Sequence, residues 1–306
     1  MNSTFDILGL GCTAVDELLF VAAYPPADGK ARVQRRERHC GGLTAAALIA
    51  AARLGGKCAF AGVLGEDELS AFVLESLRQE NVLTSHFVQR SDARPIRSTV
   101  VVNERQRTRA IFFDTAHVRG ADPNAPPEKV IRSARVLLVD NFGIKGMIRA
   151  ARIARAAGIP VVADFESDDQ PGFSRLLGLV DHLILSEGFA CKLTGAKNAA
   201  DAACALWSQS REVVIVTCGA NGCCFVASAD EPPKSIPAFK VKALNTTGCG
   251  DVFHGAYALA LARKLGLPER IRFAAAAAAC KATQRDGEDC LPTAKRVKQL
   301  LEQSRP

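Results

Sequence analysis

Hydrophobic and polar positions divide the chain into short apolar runs separated by glycine- and proline-rich turns. Residues 5–11 form the first such run, which exits on glycine and reads as a β-strand. A second run, 18–22, leads into Tyr24-Pro25-Pro26-Ala27-Asp28-Gly29, a strong turn signal. Residues 31–39 are polar and basic with little helical period, and are expected to form a strand of a small flap. Gly41-Gly42 then opens an Ala-rich stretch whose pattern predicts a helix over 43–54, stopped by Gly55-Gly56. A strand over 58–63 and a helix over 69–79 follow. Two strands, 97–103 and 109–113, flank a polar turn.

From there the period switches back and forth. Strands are predicted at 136–139, 160–163, 182–185 and 213–217, and helices at 145–157 and 199–208. The remainder reads as three helices, 251–264, 269–283 and 293–303. Alternating strands and helices predict an α/β three-layer sandwich with a mostly parallel central sheet. The early β-rich pieces fall outside that alternation. They are expected to form a small β-sheet lid, about 17–40 and 97–115, on a single domain spanning 1–306.

Composition changes this picture little. Hydrophobic residues make up 48% and charged residues 23%, as in a globular protein, with abundant Ala and few aromatics. The net charge of +7 is mild, and its clearest cluster is Arg32, Arg35, Arg36 and Arg38. Without interleaved aromatics this reads as a solvated basic strand, and no nucleic-acid partner is expected. The 11 cysteines are odd in number and show no C-x-x-C spacing; several sit in apolar runs. That usage points to a reducing compartment, the cytoplasm. No signal peptide or membrane span is expected, because charges interrupt every apolar run.

The chemistry concentrates in Asn245-Thr246-Thr247-Gly248-Cys249-Gly250-Asp251, directly before an apolar helix. Glycines permit a tight anion nest, and a helix start adds unpaired N–H groups and a positive dipole end. Asp251 falls in the first turn, where a carboxylate reaches the same space. An anion cradle and a base for a hydroxyl proton are the two parts phosphoryl transfer needs. The plain alternative is a capped helix with Asp251 serving only the dipole.

This stretch closely resembles the second signature of the ribokinase-like, or PfkB, carbohydrate kinases. Gly41-Gly42-Leu43-Thr44-Ala45-Ala46-Ala47 resembles the first signature. Val216-Thr217-Cys218-Gly219-Ala220-Asn221-Gly222 resembles the family's nucleotide-binding turn. The resemblance implies a ribokinase-like fold and ATP-dependent phosphorylation of a sugar or sugar-like substrate, with Mg²⁺. It implies Asp251 as catalytic base and Gly248, Cys249 and Gly250 as anion hole. Asp16, Gly41, Gly42, Arg109 and, at the end of a strand, Asp140 would meet the substrate. Thr217, Gly219 and Gly222 would border the nucleotide. Ala278, Lys281 and Gly287 would line its adenine side. A homodimer through the lid is a further expectation.

Several positions depart from the pattern. Asn245 stands where the family usually has an Asp that helps bind a monovalent cation, which puts potassium activation in question. Ala46 replaces the usual Asn of the first signature. The family's N-x-x-E motif falls on Ser186-Glu187-Gly188-Phe189 and loses both ends, leaving the metal ligands unassigned. Within the family, sulfofructose kinase-like and ketohexokinase-like branches look nearest. The rival from another class is a non-catalytic sugar or nucleotide sensor on the same fold. A third reading, a dehydrogenase, rests on Gly9-Leu10-Gly11-Cys12-Thr13-Ala14, which mimics a dinucleotide fingerprint but is followed by residues that read as strand.

Overall fold

The computed structural model describes residues 4–106, 108–284 and 291–304. Gly287 lies outside the described residues. In chain order the elements are β1 (Phe5–Leu10), β2 (Ala14–Val21), β3 (Val33–Gly41), α1 (Leu43–Arg53), β4 (Cys58–Phe60), β5 (Val63–Leu64), α2 (Glu68–Gln79), β6 (Val88–Gln89), β7 (Ile96–Asn103) and β8 (Thr108–Asp114). The alternating part continues with α3 (Glu128–Ile131), β9 (Ala134–Val139), α4 (Ile144–Ala156), β10 (Val161–Asp164), α5 (Phe173–Leu177), β11 (His182–Ser186), α6 (Glu187–Thr194), α7 (Ala199–Leu206) and β12 (Val213–Thr217). It ends with β13 (Cys223–Val226), β14 (Lys234–Ile236), α8 (Cys249–Ala262), α9 (Leu267–Ala282) and α10 (Ala294–Gln303).

Eight strands form the large sheet in the order β14-β13-β12-β11-β10-β9-β1-β4. From β12 to β4 all neighbours are parallel; β13 and β14 close one edge antiparallel. The central strands are buried on both faces, which is why they read as unbroken apolar runs. Along β12, Val213 and Ile215 join the core on one side, Val214 and Val216 the core on the other. The first core packs under α1, α2, α8, α9 and α10, the second under α4 to α7. Ala-rich helices let the first layer close tightly. Gly255 of α8 lies so near Ala47 of α1 that a methyl group there would run into the Ala47 carbonyl. Such contact fixes the start of α8 relative to the start of α1.

The second sheet, β3-β2-β7-β8, stands apart with its own small core of Leu18, Phe20, Val100 and the partly buried Val102. Arg35, Arg36 and Arg38 of the basic cluster sit exposed on β3: Arg35 pairs with Glu37 and stacks over Phe20, and Arg38 pairs with Glu17 and Glu68. β1 is followed by β2, and the next helix comes only after β3, so the glycine turn at 9–14 lacks the strand-to-helix geometry of a dinucleotide site. The strand expected at 58–63 splits in two, because β5 leaves the large sheet to pair with β6. Short α3 and α5 carry no readable period. Ser186 caps α6, its Oγ accepting from Phe189 N at 3.3 Å, and the Phe189 ring packs edge-on against Phe173. Both residues at the altered N-x-x-E positions thus serve this local fold.

Candidate active site

The carboxyl ends of β1, β9, β10, β11 and β12 face the same side, where open α/β sheets gather their ligands. Above them, a cleft of ≈430 Å³ is lined by Leu18, Val100, Val102 and Arg109 of the small sheet and by Asp16, Gly41, Gly42, Ala46, Gly248, Asp251 and Lys281, among others. Local geometry explains the glycines. Ala14 on β2 lies opposite Gly41 on β3, and a methyl group on Gly41 would overlap Asp16 Oδ2. Gly42 has φ 91° and ψ 146°, a region only glycine enters without strain. A methyl group on it would sit 2.6 Å from the Thr13 carbonyl carbon. The backbone at 41–42 is therefore held hard against the β1–β2 connection, open towards the cleft.

α8 enters from the opposite wall. Its N-cap, Gly248, has φ 73°, and Asp251 is its third residue. Cys249 N–H donates to Thr246 O at 3.3 Å, whereas no acceptor among the described residues faces the N–H groups of Gly250 and Asp251. Asn245 Oδ1 accepts from Thr247 N at 2.8 Å and from Arg109 at 3.4 Å, so the tip of the small sheet touches the motif loop. The Cys249 thiol turns into α9, donating to Ala278 O at 3.5 Å.

Behind Asp251 lies a buried charged cluster. Burial, and after it the charges of Asp164 and Glu166, hold the Asp251 carboxyl well above the usual carboxylate range, while His254 opposes them. Burial likewise raises Asp164, helped by Glu166 and Asp140. His254, one turn along α8, donates from Nδ1 to Gly250 O at 2.8 Å and from Nε2 faces Ile184 O at 3.1 Å. Asp164 Oδ2 lies 3.1 Å from that Nδ1. Because the Nδ1–H points at Gly250, the oxygen gains proximity but no hydrogen bond. Burial pushes the His254 ring down, and the two carbonyls and the nearby carboxylates pull the other way. This His therefore packs and ties α8 to β11 rather than facing the cleft. Asp16, across the cleft, is also raised by burial, opposed by a bond to Ser98 and by His39.

The structure brings Asp16, Gly41, Gly42, Arg109, Gly248, Asp251 and Lys281 into one cleft. It does not bring Asp140 there. Asp140 is fully buried and its oxygens are taken: Oδ2 accepts from Cys12 N at 2.6 Å and Thr44 Oγ1 at 2.9 Å, Oδ1 from Phe142 N at 2.9 Å. Burial, only partly offset by those bonds, lifts it to about 6. Asp140 is thus corrected from a substrate contact to the group that fastens the β1–β2 connection to α1. Thr217, Gly219 and Gly222 sit at the end of β12 and its turn, outside this cleft; Thr217 Oγ1 donates to Leu185 O at 3.3 Å, and a methyl group on Gly222 would overlap Ile236 O. Ala278 lies behind Cys249.

A family model described as "pfkB family carbohydrate kinase" matches residues 10–294. The chain belongs to this family. It is 28% identical over 309 residues to the ribokinase of Haemophilus influenzae, covering 99% of both chains. A crystal structure of a putative ribokinase from Agrobacterium tumefaciens superposes with a TM-score of 0.90 at 26% identity, covering 98% of each chain. An Arabidopsis thaliana ribokinase complexed with ribose and ATP has the same fold, with a TM-score of 0.85 at 22% identity over 99% of each chain. The pfkB resemblance and the ribokinase-like fold expected from the signatures are therefore shown.

Two features of this kinase's cleft escaped the sequence. Arg53 and Glu80 line it as a two-armed ion pair, at 2.7 and 2.6 Å. Arg38 joins it from β3 through Glu17 and Glu68. Each pair links segments whose separation carries no motif, so no spacing signals them.

Proposed function

We propose that this family member transfers the γ-phosphoryl group of ATP to a hydroxyl of a sugar or sugar-like molecule bound between Asp16, Gly41 and Gly42 and the start of α8. The observation that carries this reading is the position of Asp251, at the helix start and facing the cleft across from Asp16. Asp251 takes the hydroxyl proton as the oxygen attacks. A raised proton affinity suits a base working near neutral pH. The N–H groups of Gly250 and Asp251, in the turn formed by Gly248, Cys249 and Gly250, receive charge on the phosphoryl oxygens. Asp16 holds acceptor hydroxyls, and Arg109 bridges the small sheet to the motif loop.

The cleft fits a phosphate chain: it offers a glycine cradle at a helix start and a buried lysine with no partner among the described residues. Among the described residues no three His, Cys, Asp or Glu converge on a metal position. Mg²⁺ would therefore arrive with the triphosphate and supply charge neutralisation, with Asp164 and Glu166 the nearby carboxylates. The small sheet acts as a lid whose closure keeps water out. Its outer strand β8 exposes Ile111, Phe112 and Phe113, which supports pairing of two copies through the lid.

The test is ADP release from Mg·ATP against a panel of ketoses, aldoses, sugar acids and nucleosides. Release that depends on one substrate class supports the kinase and names its substrate. Tight ATP binding with no release for any compound would favour the sensor reading instead.

A further inference from the structure

Lys281 sits in the last turn of α9, and the family resemblance placed it beside the adenine. Its surroundings say otherwise. The side chain is 3% exposed, lines the same cleft as Asp251 and has no hydrogen-bond or ion-pair partner among the described residues. A methyl group built on Gly248 would lie 3.9 Å from Lys281 Cε and 3.7 Å from Asp251 Oδ2. The lysine stem and the carboxylate therefore converge over the one residue that caps α8. An ammonium buried without a counter-ion is costly, and the cost is relieved when an anion enters. The place where an anion meets it is also where the N–H groups of Gly250 and Asp251 face no acceptor among the described residues and the dipole of a 14-residue helix is positive.

We propose that Lys281 is a catalytic residue whose ammonium contacts the phosphoryl group in flight, completing the cradle at the start of α8. The proposal rests on the kinase reading and deepens it. In the step, the acceptor oxygen forms a bond to the γ-phosphorus as the bond from that phosphorus to the β–γ bridging oxygen breaks. The hydroxyl proton goes to Asp251 and the electron pair leaves with ADP. Lys281 forms no covalent bond; it balances charge on the equatorial oxygens, a task it shares with the backbone N–H groups at the start of α8.

The test uses the full-length protein and three probes with Mg²⁺: the non-hydrolysable analogue AMP-PNP, ADP and AMP. Wild type, Lys281→Met and Lys281→Gln are titrated by calorimetry, with melting curves of the unliganded proteins as the check on folding. Met keeps the apolar stem, and Gln keeps a polar tip without charge. Both variants are expected to weaken AMP-PNP at least tenfold, with AMP changed less than twofold and ADP between. They are also expected to melt no lower than wild type, since an unpaired buried charge is removed. With the accepted substrate in hand, kcat should fall about a hundredfold while the KM of that substrate holds. Equal losses for AMP and AMP-PNP would put Lys281 at the adenine and overturn the proposal. Unchanged affinity for all three would overturn it as well. A wild-type protein that binds none of the probes would overturn the kinase reading itself, and the proposal with it.

Discussion

Replacing Gly42 by Ala tests the claim that the start of α1 is held in a conformation only glycine adopts. The native φ of 91° with ψ 146° costs a residue with a side chain about 1–3 kcal/mol. The added methyl would also lie 2.6 Å from the Thr13 carbonyl carbon and 2.7 Å from Ala14 N, and these are backbone atoms of a buried connection. Relieving that overlap adds about 1–3 kcal/mol more. The sum, about 2–6 kcal/mol, corresponds to a melting temperature about 3–9 °C lower for a chain of this size. Gly188 supplies the opposite case. It lies inside α6, and nothing stands within 4 Å of where its methyl would go. Gly188→Ala should therefore stabilise by about 0.5–1 kcal/mol. Differential scanning calorimetry of the three proteins reads both signs. Because the Gly42 backbone lines the cleft, the variant should also lose substrate-induced stabilisation. A Gly42→Ala protein that melts with the wild type would refute the argument from backbone angle and overlap.

Other consequences follow from the cluster behind Asp251 and from the lid. Glu166 raises the proton affinity of Asp251, so Glu166→Gln should move the acid limb of the kcat/KM profile to lower pH; an unmoved limb, or one moved upward, would contradict the electrostatic account. Asp140→Asn leaves one of three donors facing an amide nitrogen and should destabilise by about 1–3 kcal/mol, read by chemical denaturation, without a specific rise in KM. Phe113, 69% exposed on β8, is expected at a contact between copies, so Phe113→Lys should shift sedimentation towards monomer; a wild type that is monomeric at all concentrations removes that contact.

Much of the fold was legible because its physics is local. Strands such as β9 and β12 are buried on both faces, and each reads as an apolar run bounded by turns. The helix starts at Gly42 and Gly248 announce themselves because positive φ demands glycine there. What failed to show in the sequence depends on direction. Asp140 ends a strand on the functional side of the sheet, but a Cys12 N–H, a Thr44 hydroxyl and a Phe142 N–H turn it inward. The family resemblance puts Lys281 beside the adenine, and no spacing in the sequence shows that its side chain reaches Gly248. The Arg53–Glu80 pair joins the ends of two helices 27 residues apart, which no periodicity records.

The most direct test of the central claim compares Asp251→Asn with wild type on whichever substrate the panel identifies. Asn keeps the shape and removes the base. The kcat of Asp251→Asn should fall about 10²–10⁴-fold, with AMP-PNP affinity and melting temperature close to wild type. Turnover near the wild-type rate would contradict that claim, because the proton would then be leaving by a route that Asp251 does not provide.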